Sequence, residues 1–224
     1  LAISTISDPP MLFAADSGNN RIQVHAALTG EYVRTIGQGQ GDELGQLNYP
    51  TGIKLVSLSN PAREWLIVSE NGNERVQIFD AVTGDPIKII WGRMVPFGVA
   101  VFSPPDSSSP PLLFIADGVT SHKVRVYDLE SGEHLRDIGN GRGSEEGQLN
   151  GPWGLAIFQP DPSHAPLLLV IELDNHRISV FDALSGAFVK IIGNGEGNGD
   201  GYLSYLGKIC VMPEEEDVGF YVLK

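Results

Sequence analysis

Four pairs of oppositely charged residues recur along the 224-residue chain, and an acid beside a base is an arrangement that can transfer a proton. In each pair a carboxylate precedes a basic residue by five or six positions. The pairs are Asp16 and Arg21, Glu70 and Arg75, Asp117 and Lys123, and Glu172 and Arg177. A catalytic site is normally unique, whereas the basic members recur at steps of 54, 48 and 54 residues. We therefore expect these pairs to be structural, tying one strand to the turn that leads into the next.

Three glycine-rich segments, GQGQGDELG, GNGRGSEEG and GNGEGNGDG, are the next candidates because such loops can bind phosphate or calcium. Phosphate binding needs a helix after the glycines, whereas a loop leading into a strand follows here. Calcium needs converging oxygens, and the acids available for it are Asp42, Glu43, Glu145, Glu146 and Asp200. The ligand spacing of a calcium loop is absent. We therefore expect no cofactor in these segments. We expect them to be mobile connections that use glycine for positive φ, with calcium binding as the alternative.

Composition excludes several classes of protein. The chain has 15 Lys and Arg against 28 Asp and Glu, a net charge of −13, and 42% of its residues are hydrophobic. Its 27 glycines and 15 prolines disfavour a helix bundle. The single cysteine, Cys210, excludes an internal disulfide and a cysteine-based zinc site, so an intracellular compartment is favoured. No apolar run approaches the ~20 residues of a membrane helix, which predicts no membrane segment in this sequence.

The chain is built from repeats that share more than the charged pairs. NNRIQVH, NERVQIF, SHKVRVY and NHRISVF occupy equivalent positions, and the same steps separate Gly30, Gly84, Gly132 and Gly186. A second basic series follows at Arg34, Lys88, Arg136 and Lys190. Inside each unit, apolar and polar residues alternate with a period of two, which predicts strands. Four short antiparallel strands per unit are typical of a β-propeller blade, so we predict an all-β propeller.

The order of the markers resembles the NHL repeat: an acid, Asn-x-Arg, Thr-Gly, Ile-Gly, Gly-Gln-Leu and then Pro-x-Gly. ADSGNNRIQV with IGQGQGDELGQLNYPTGI is the fullest match, and the resemblance covers essentially the whole chain. It implies a ring of about six blades. The units run approximately over 1–50, 51–96, 97–152 and 153–205, with a partial unit at 206–224. We therefore expect four and a half blades, a fragment of a larger ring.

The departures from the repeat are local, and one of them is Gly-Tyr-Leu in place of Gly-Gln-Leu in the fourth loop, at residues 201–203. The second unit has Trp91 where the others have glycine, and it lacks the Gly-Gln-Leu loop, which explains its shorter step. The third unit has Ser121 and Lys123 in place of asparagine and arginine.

The resemblance implies a non-catalytic protein-interaction scaffold. Propellers of this kind often form the substrate-recognising end of RING-type ubiquitin ligases, and with one cysteine the RING would have to come from other sequence. A propeller enzyme, either amidating-lyase-like or a hydrolase, is the first alternative. The positions between Pro and Gly, where such an enzyme places histidines beside its channel, read Thr51, Phe97 and Trp153, with Leu206 in the matching place. None of these four side chains is a metal ligand, so we expect no enzyme.

An RNA-binding propeller is the second alternative. Eight of the 15 basic residues belong to the two basic repeat series, and the other seven are scattered among 28 acids. Binding to a nucleic-acid backbone needs a local cationic excess, so the sequence disfavours it.

A protein or peptide partner is the remaining prediction, since binding sites favour loops on a rigid scaffold and aromatic anchors. The repeat register gathers five residues around one channel mouth: Tyr49, Thr51, Phe97, Trp153 and Tyr205. His122 and His176 occupy equivalent turn positions that could also face a partner. The alternative for Phe97 and Trp153 is that they cap the core between blades.

Overall fold

The computed structural model describes residues 1–4, 6, 8–59, 62–105, 109–204, 206–212 and 219–223 of the chain. Their regular structure is almost entirely β, with a single turn of 3₁₀ helix at Ser17–Asn19. The strands are β1 Ala2–Ser4, β2 Met11–Asp16, β3 Arg21–Ala26, β4 Tyr32–Ile36, β5 Pro50–Ser59, β6 Ala62–Glu70, β7 Arg75–Asp80, β8 Pro86–Trp91, β9 Pro96–Phe102, β10 Leu112–Asp117, β11 Lys123–Asp128, β12 His134–Ile138, β13 Pro152–Phe158, β14 Leu167–Glu172, β15 Arg177–Asp182, β16 Phe188–Ile192, β17 Lys208–Met212 and β18 Gly219–Leu223. Among the described residues, no helix has both the length and the apolar character needed to cross a membrane.

The strands form small antiparallel sheets in chain order. The four-stranded sheets are β1–β4, β5–β8, β9–β12 and β13–β16, and β17 pairs with β18 in a two-stranded sheet. In the third and fourth sheets the second strand is almost entirely buried, as in β14, where every residue after Leu167 is buried. The fourth strand is more exposed, as in β4, where only Ile36 is fully buried. This is the β-propeller blade that the alternating pattern predicts.

The chain divides into two compact units, Leu1–Val99 and Ala100–Lys224. In the first unit, the core lies between the β1–β4 and β5–β8 sheets and contains Phe13, Leu47 and Phe79. In the second, one core cluster includes Phe114 and Phe181, and another joins the β13–β16 sheet to Leu206 and Ile209. Each cluster in the two units thus takes side chains from successive sheets.

The Thr-Gly and Ser-Gly markers are explained by the turn between the third and fourth strands. In the second sheet, the Asp80 carboxylate accepts hydrogen bonds from the N–H groups of Val82 and Thr83 at 2.8 and 2.9 Å. Gly84 then adopts a φ of 83°, which glycine reaches without steric cost. Asp128 and Asp182 repeat the arrangement in the third and fourth sheets.

The glycine of the Pro-x-Gly marker allows two strands to approach closely. A Cβ atom on Gly52 would lie 2.2 Å from the carbonyl oxygen of Phe97 and 2.8 Å from Oγ of Ser69. Both contacts are far inside van der Waals distance, and the first is with backbone that cannot rotate away. The position therefore requires glycine because of packing rather than because of backbone conformation.

We expect Gly52→Ala to lower the free energy of unfolding by about 2–3 kcal/mol, because overpacking forces the backbone to shift. Gly18→Ala is the matched control, since a Cβ there meets no atom within 4 Å. Its effect should stay within about 0.5 kcal/mol. Urea denaturation followed by circular dichroism measures both, and equal effects of the two substitutions would contradict the packing explanation.

Candidate functional site

The charged pair of the second unit is buried and lies at the end of a hairpin. Glu70 ends β6 and Arg75 begins β7, and the strand register places the two residues opposite each other. Arg75 Nε donates to Glu70 Oε1 at 2.7 Å, and both side chains are fully buried. Since burying an unpaired charge is costly, each side chain depends on the other.

The same arginine binds the glycine-rich loop that follows the first sheet. Its Nη1 donates to the carbonyl of Asp42, and its Nη2 donates to the carbonyls of Gln46 at 2.9 Å and Glu43 at 3.2 Å. Asn73 Nδ2 donates to the carbonyl of Gly41 at 2.7 Å. The loop is therefore held by the second sheet, and the expectation of a mobile connection is wrong here.

The fourth sheet repeats this network in the second compact unit. Arg177 Nε donates to Glu172 Oε1 at 2.7 Å, and its Nη groups donate to the carbonyls of Ser144 at 2.6 Å and Gln148 at 3.1 Å. Asn175 donates to the carbonyl of Gly143 at 2.9 Å. Two separate units thus use an arginine and an asparagine to hold a glycine-rich loop.

The expected Asp117–Lys123 pair is wrong. Asp117 Oδ2 instead accepts from Arg125 Nη2 at 2.9 Å and from Ser121 Oγ at 2.7 Å, while Lys123 Nζ lies 3.5 Å from Asp137. Residue 125 lies two positions along the same strand and so faces the same side as residue 123. The longer, forked guanidinium reaches the buried carboxylate, and the lysine turns to the more exposed Asp137.

The pair of the first unit is the most exposed. Arg21 Nε donates to Asp16 Oδ2 at 2.8 Å, and the Arg21 side chain is 41% exposed. The Asp16 carboxylate also accepts from Gln23 and Asn19. Hydrogen bonds from Arg21, then Gln23 and Asn19, lower the pKa of Asp16 from 3.8 to about 2.

The residues predicted to line a channel mouth have different surroundings. Thr51 and Phe97 are half-buried, and Ser69 links them, because its Oγ lies 3.1 Å from Thr51 Oγ1 and donates to the Phe97 carbonyl at 2.6 Å. Tyr49 is 53% exposed, whereas Trp153 is half-buried against the core cluster of the fourth sheet. Tyr205 lies outside the described residues, and the common mouth stays a prediction.

The two turn histidines occupy a position with left-handed backbone. Asn20, Glu74, His122 and His176 all have φ between 50° and 54°. His122 Nδ1 accepts from the N–H of Gly151 at 3.1 Å, just as Asn20 Oδ1 accepts from the N–H of Tyr49 at 2.8 Å. His176 Nε2 lies 3.7 Å from the Glu196 carboxylate. The His122 side chain therefore holds the segment just before β13 through a hydrogen bond to Gly151. Its position in the sequence did not indicate this role.

A surface pocket lies beside Trp91 and was not predicted from the sequence. Trp91 is 61% exposed, and the pocket of about 430 Å³ is lined by Asn73, Glu74, Trp91, Gly92 and Arg93. Trp91 lies opposite Arg75 in the strand register, and the guanidinium carbon is 5.2 Å from the ring centroid. We call these five residues the Trp91 surface. The signal for it was the tryptophan at a glycine position of the repeat.

Tyr49 is a second exposed aromatic residue, and its backbone is bonded to the turn that leads into this surface. Its carbonyl accepts from the N–H of Asn71, the residue that follows β6 and begins the turn containing Asn73 and Glu74. Glu74 and Arg93 are exposed and bring opposite charges to the pocket. In the described part of the chain, no group of three or more His, Cys, Asp and Glu side chains is placed to hold a metal ion.

No protein-family profile matches the chain, and no curated protein matches it. Solved structures do. A chain of the nidogen/laminin complex is similar over 99% of this chain and 71% of its own length, with a TM-score of 0.68 and 15% identity. BBS1N, in complex with ARL6DN, is similar over 97% of this chain and 59% of its own, with a TM-score of 0.64 and 15% identity.

Hydrazine synthase of Kuenenia stuttgartiensis is similar over 93% of this chain and 51% of its own, with a TM-score of 0.63 and 19% identity. The chain thus spans about half of that protein. These neighbours are β-propellers, and at such low identity the likeness shows the fold alone.

We expect Arg75→Gln to lower the free energy of unfolding by about 3–5 kcal/mol, because it leaves a buried carboxylate without its partner. Arg21→Gln is the matched control, since the same change at an exposed pair should cost less than about 1 kcal/mol. Urea denaturation of the two variants measures the difference. Comparable losses in the two variants would contradict the explanation that burial of the pair makes Arg75 the more costly residue to replace.

A pH dependence follows from the lowered pKa of Asp16. A carboxylate whose pKa falls on folding stabilises the folded state fully above its ordinary value of 3.8, and this stabilisation is lost as the pH falls towards about 2. The difference in unfolding free energy between the wild type and Asp16→Asn should therefore shrink over that interval. Denaturation at a series of pH values tests this. A difference that stays constant through the interval would be the contrary result.

Proposed function

We propose that the chain is a non-catalytic protein-interaction module of the NHL-repeat type, and that the Trp91 surface binds a segment of a partner protein. The carrying observation is the exposure of Trp91, a residue that is 61% exposed, beside a pocket lined by an acid and a base. Tryptophan and tyrosine are enriched among the residues that contribute most to interfaces.

The free energy available from burying Trp91 supports its role as an anchor. Burying the exposed part of the indole, roughly 150 Å², is worth on the order of 3 kcal/mol. The indole stacks on Arg75, whose guanidinium is fixed by its hydrogen bonds to Glu70 and to the loop carbonyls. An anchor that is already ordered loses little conformational entropy on binding.

The character of the pocket favours a peptide segment. Glu74 and Arg93 lie on the same rim, so a partner segment with an apolar side chain flanked by charges of both signs would complement it. Among the solved neighbours, BBS1N is in complex with ARL6DN and another chain is in the nidogen/laminin complex, which supports protein binding as a use of this fold. By resemblance to NHL proteins, the partner would be a ligase substrate if the whole protein carries a RING.

Selection from a random peptide display library tests this proposal without knowledge of the partner. Selected peptides should bind Trp91→Ala at least about tenfold more weakly than the wild type, because a central aromatic anchor typically contributes 2 kcal/mol or more. Val82→Ala is the matched control, since Val82 is 62% exposed in the same sheet but lies in the turn between β7 and β8. Binding to Val82→Ala should be unchanged.

Hydrogen exchange locates the site independently of the substitutions. A bound peptide should slow exchange at residues 71–74 and 91–93. Peptides that bind the Trp91→Ala variant as tightly as the wild type, or that protect only Thr51 and Phe97, would overturn the assignment of this surface.

A further inference from the structure

Glu74 is an unusual residue for the backbone conformation that it adopts. It lies in the turn between β6 and β7 with a φ of 54°, and the equivalent residues of the other sheets, Asn20, His122 and His176, have φ between 50° and 53°. Asparagine and histidine are among the non-glycine residues most often found in this left-handed region, and glutamate is not. The backbone conformation therefore does not explain a glutamate at this position.

The Glu74 carboxylate also lacks the structural role of its equivalents. The side chains of Asn20 and His122 each accept a hydrogen bond from a backbone N–H just before the next sheet, at 2.8 and 3.1 Å. Among the residues that the structure describes, none forms a hydrogen bond or an ion pair with the Glu74 carboxylate, and Glu74 is exposed. The second sheet thus places an unpaired carboxylate in the lining of the Trp91 pocket.

An indole beside a carboxylate is a combination that binds cations. The face of an aromatic ring attracts a cation within about 6 Å of its centroid, and tryptophan does so most strongly. Arg75 already lies 5.2 Å from the Trp91 centroid, and its charge is balanced by Glu70 at 2.7 Å. Because Trp91 is nevertheless 61% exposed, much of the ring stays open to a second cation.

Arginine matches this combination better than lysine does. A planar guanidinium can stack on an indole and donate two parallel hydrogen bonds to a carboxylate, whereas an ammonium is a compact point charge. The methylene stem of an arginine also packs on apolar surface while its head stays charged, so one residue supplies both the apolar contact and the positive charge of the proposed partner segment.

The other charges of the chain define what should accompany the arginine. Arg93 lies in the same pocket lining and would repel a lone cation, so an acidic residue beside the arginine would balance it. The net charge of −13 favours the approach of a basic segment over that of an acidic one.

We propose that Trp91 and Glu74 together bind an arginine side chain of the partner segment. Its guanidinium stacks on the open part of the indole and donates two hydrogen bonds to the Glu74 carboxylate. The recognition of arginine rests on the proposed function of the Trp91 surface and names the residue that this surface selects.

The peptides selected from the display library, sorted by their dependence on Trp91, provide the test. Peptides that require Trp91 should share an arginine, and replacing it with citrulline, which is neutral and of nearly the same shape, should weaken binding at least about tenfold. Glu74→Gln should weaken the arginine peptides by a similar factor and leave the citrulline peptides unchanged. Glu146→Gln is the matched control, since Glu146 is exposed, lies outside the pocket and undergoes the same change in charge.

Glu74→Asn separates binding from folding. Because asparagine adopts the left-handed conformation more readily than glutamate, this variant should unfold at a higher urea concentration than the wild type and still bind the arginine peptides more weakly. Either Glu74 variant binding these peptides as tightly as the wild type would overturn the proposal.

The outcomes also separate this proposal from the proposed function. Peptides that require Trp91 but share no arginine would overturn arginine recognition and leave the Trp91 surface as a binding site. A selection that yields no peptide dependent on Trp91 would overturn both.

Discussion

A buried guanidinium group is the feature on which the joining of successive sheets depends. Arg75 directs Nε to Glu70 and both Nη groups to carbonyl oxygens of the glycine-rich loop before its sheet. An arginine taken out of water with these donors unsatisfied would cost several kcal/mol. The loop must therefore be in place for the arginine to be buried, and the arginine fixes the loop. Hydrophobic burial between sheets supplies the larger energy, but it is non-directional, whereas this network specifies one arrangement.

Lysine cannot replace arginine in this role, and the third unit shows the consequence. A guanidinium presents its five N–H donors in a planar fork, whereas an ammonium is a single point charge. Where the preceding unit has no glycine-rich loop, the position reads Lys123, and the buried acid Asp117 takes Arg125 as its partner. The unit that lacks this loop also has Trp91 at the position where the other units have glycine. The Trp91 ring packs against the Arg75 guanidinium. One departure in the repeat thus changes the electrostatic pairing and leaves an aromatic surface exposed.

The sequence predicted the local structure well and the contacts between units poorly. Alternation predicted the strands, and the shared spacing of Gly84 and its equivalents predicted the turns, because both depend on neighbours a few residues apart. The repeat also identified Arg75 and Arg177 as structural. It did not predict which atoms they bind, since the loop carbonyls lie 29 to 33 positions away. The pairing of Asp117 failed for a related reason, because residues 123 and 125 share a face and only reach and burial decide between them.

A repeated network cannot itself mark a functional site, because it recurs in units that share no single function. Function in such a chain is better sought where one unit differs from the others, since a departure that weakens the repeat persists only with a compensating use. One place meets this condition. Trp91 replaces a glycine, and the residue is 61% exposed beside charges of both signs. The proposed partner site therefore rests on a departure from the repeat rather than on the repeat itself.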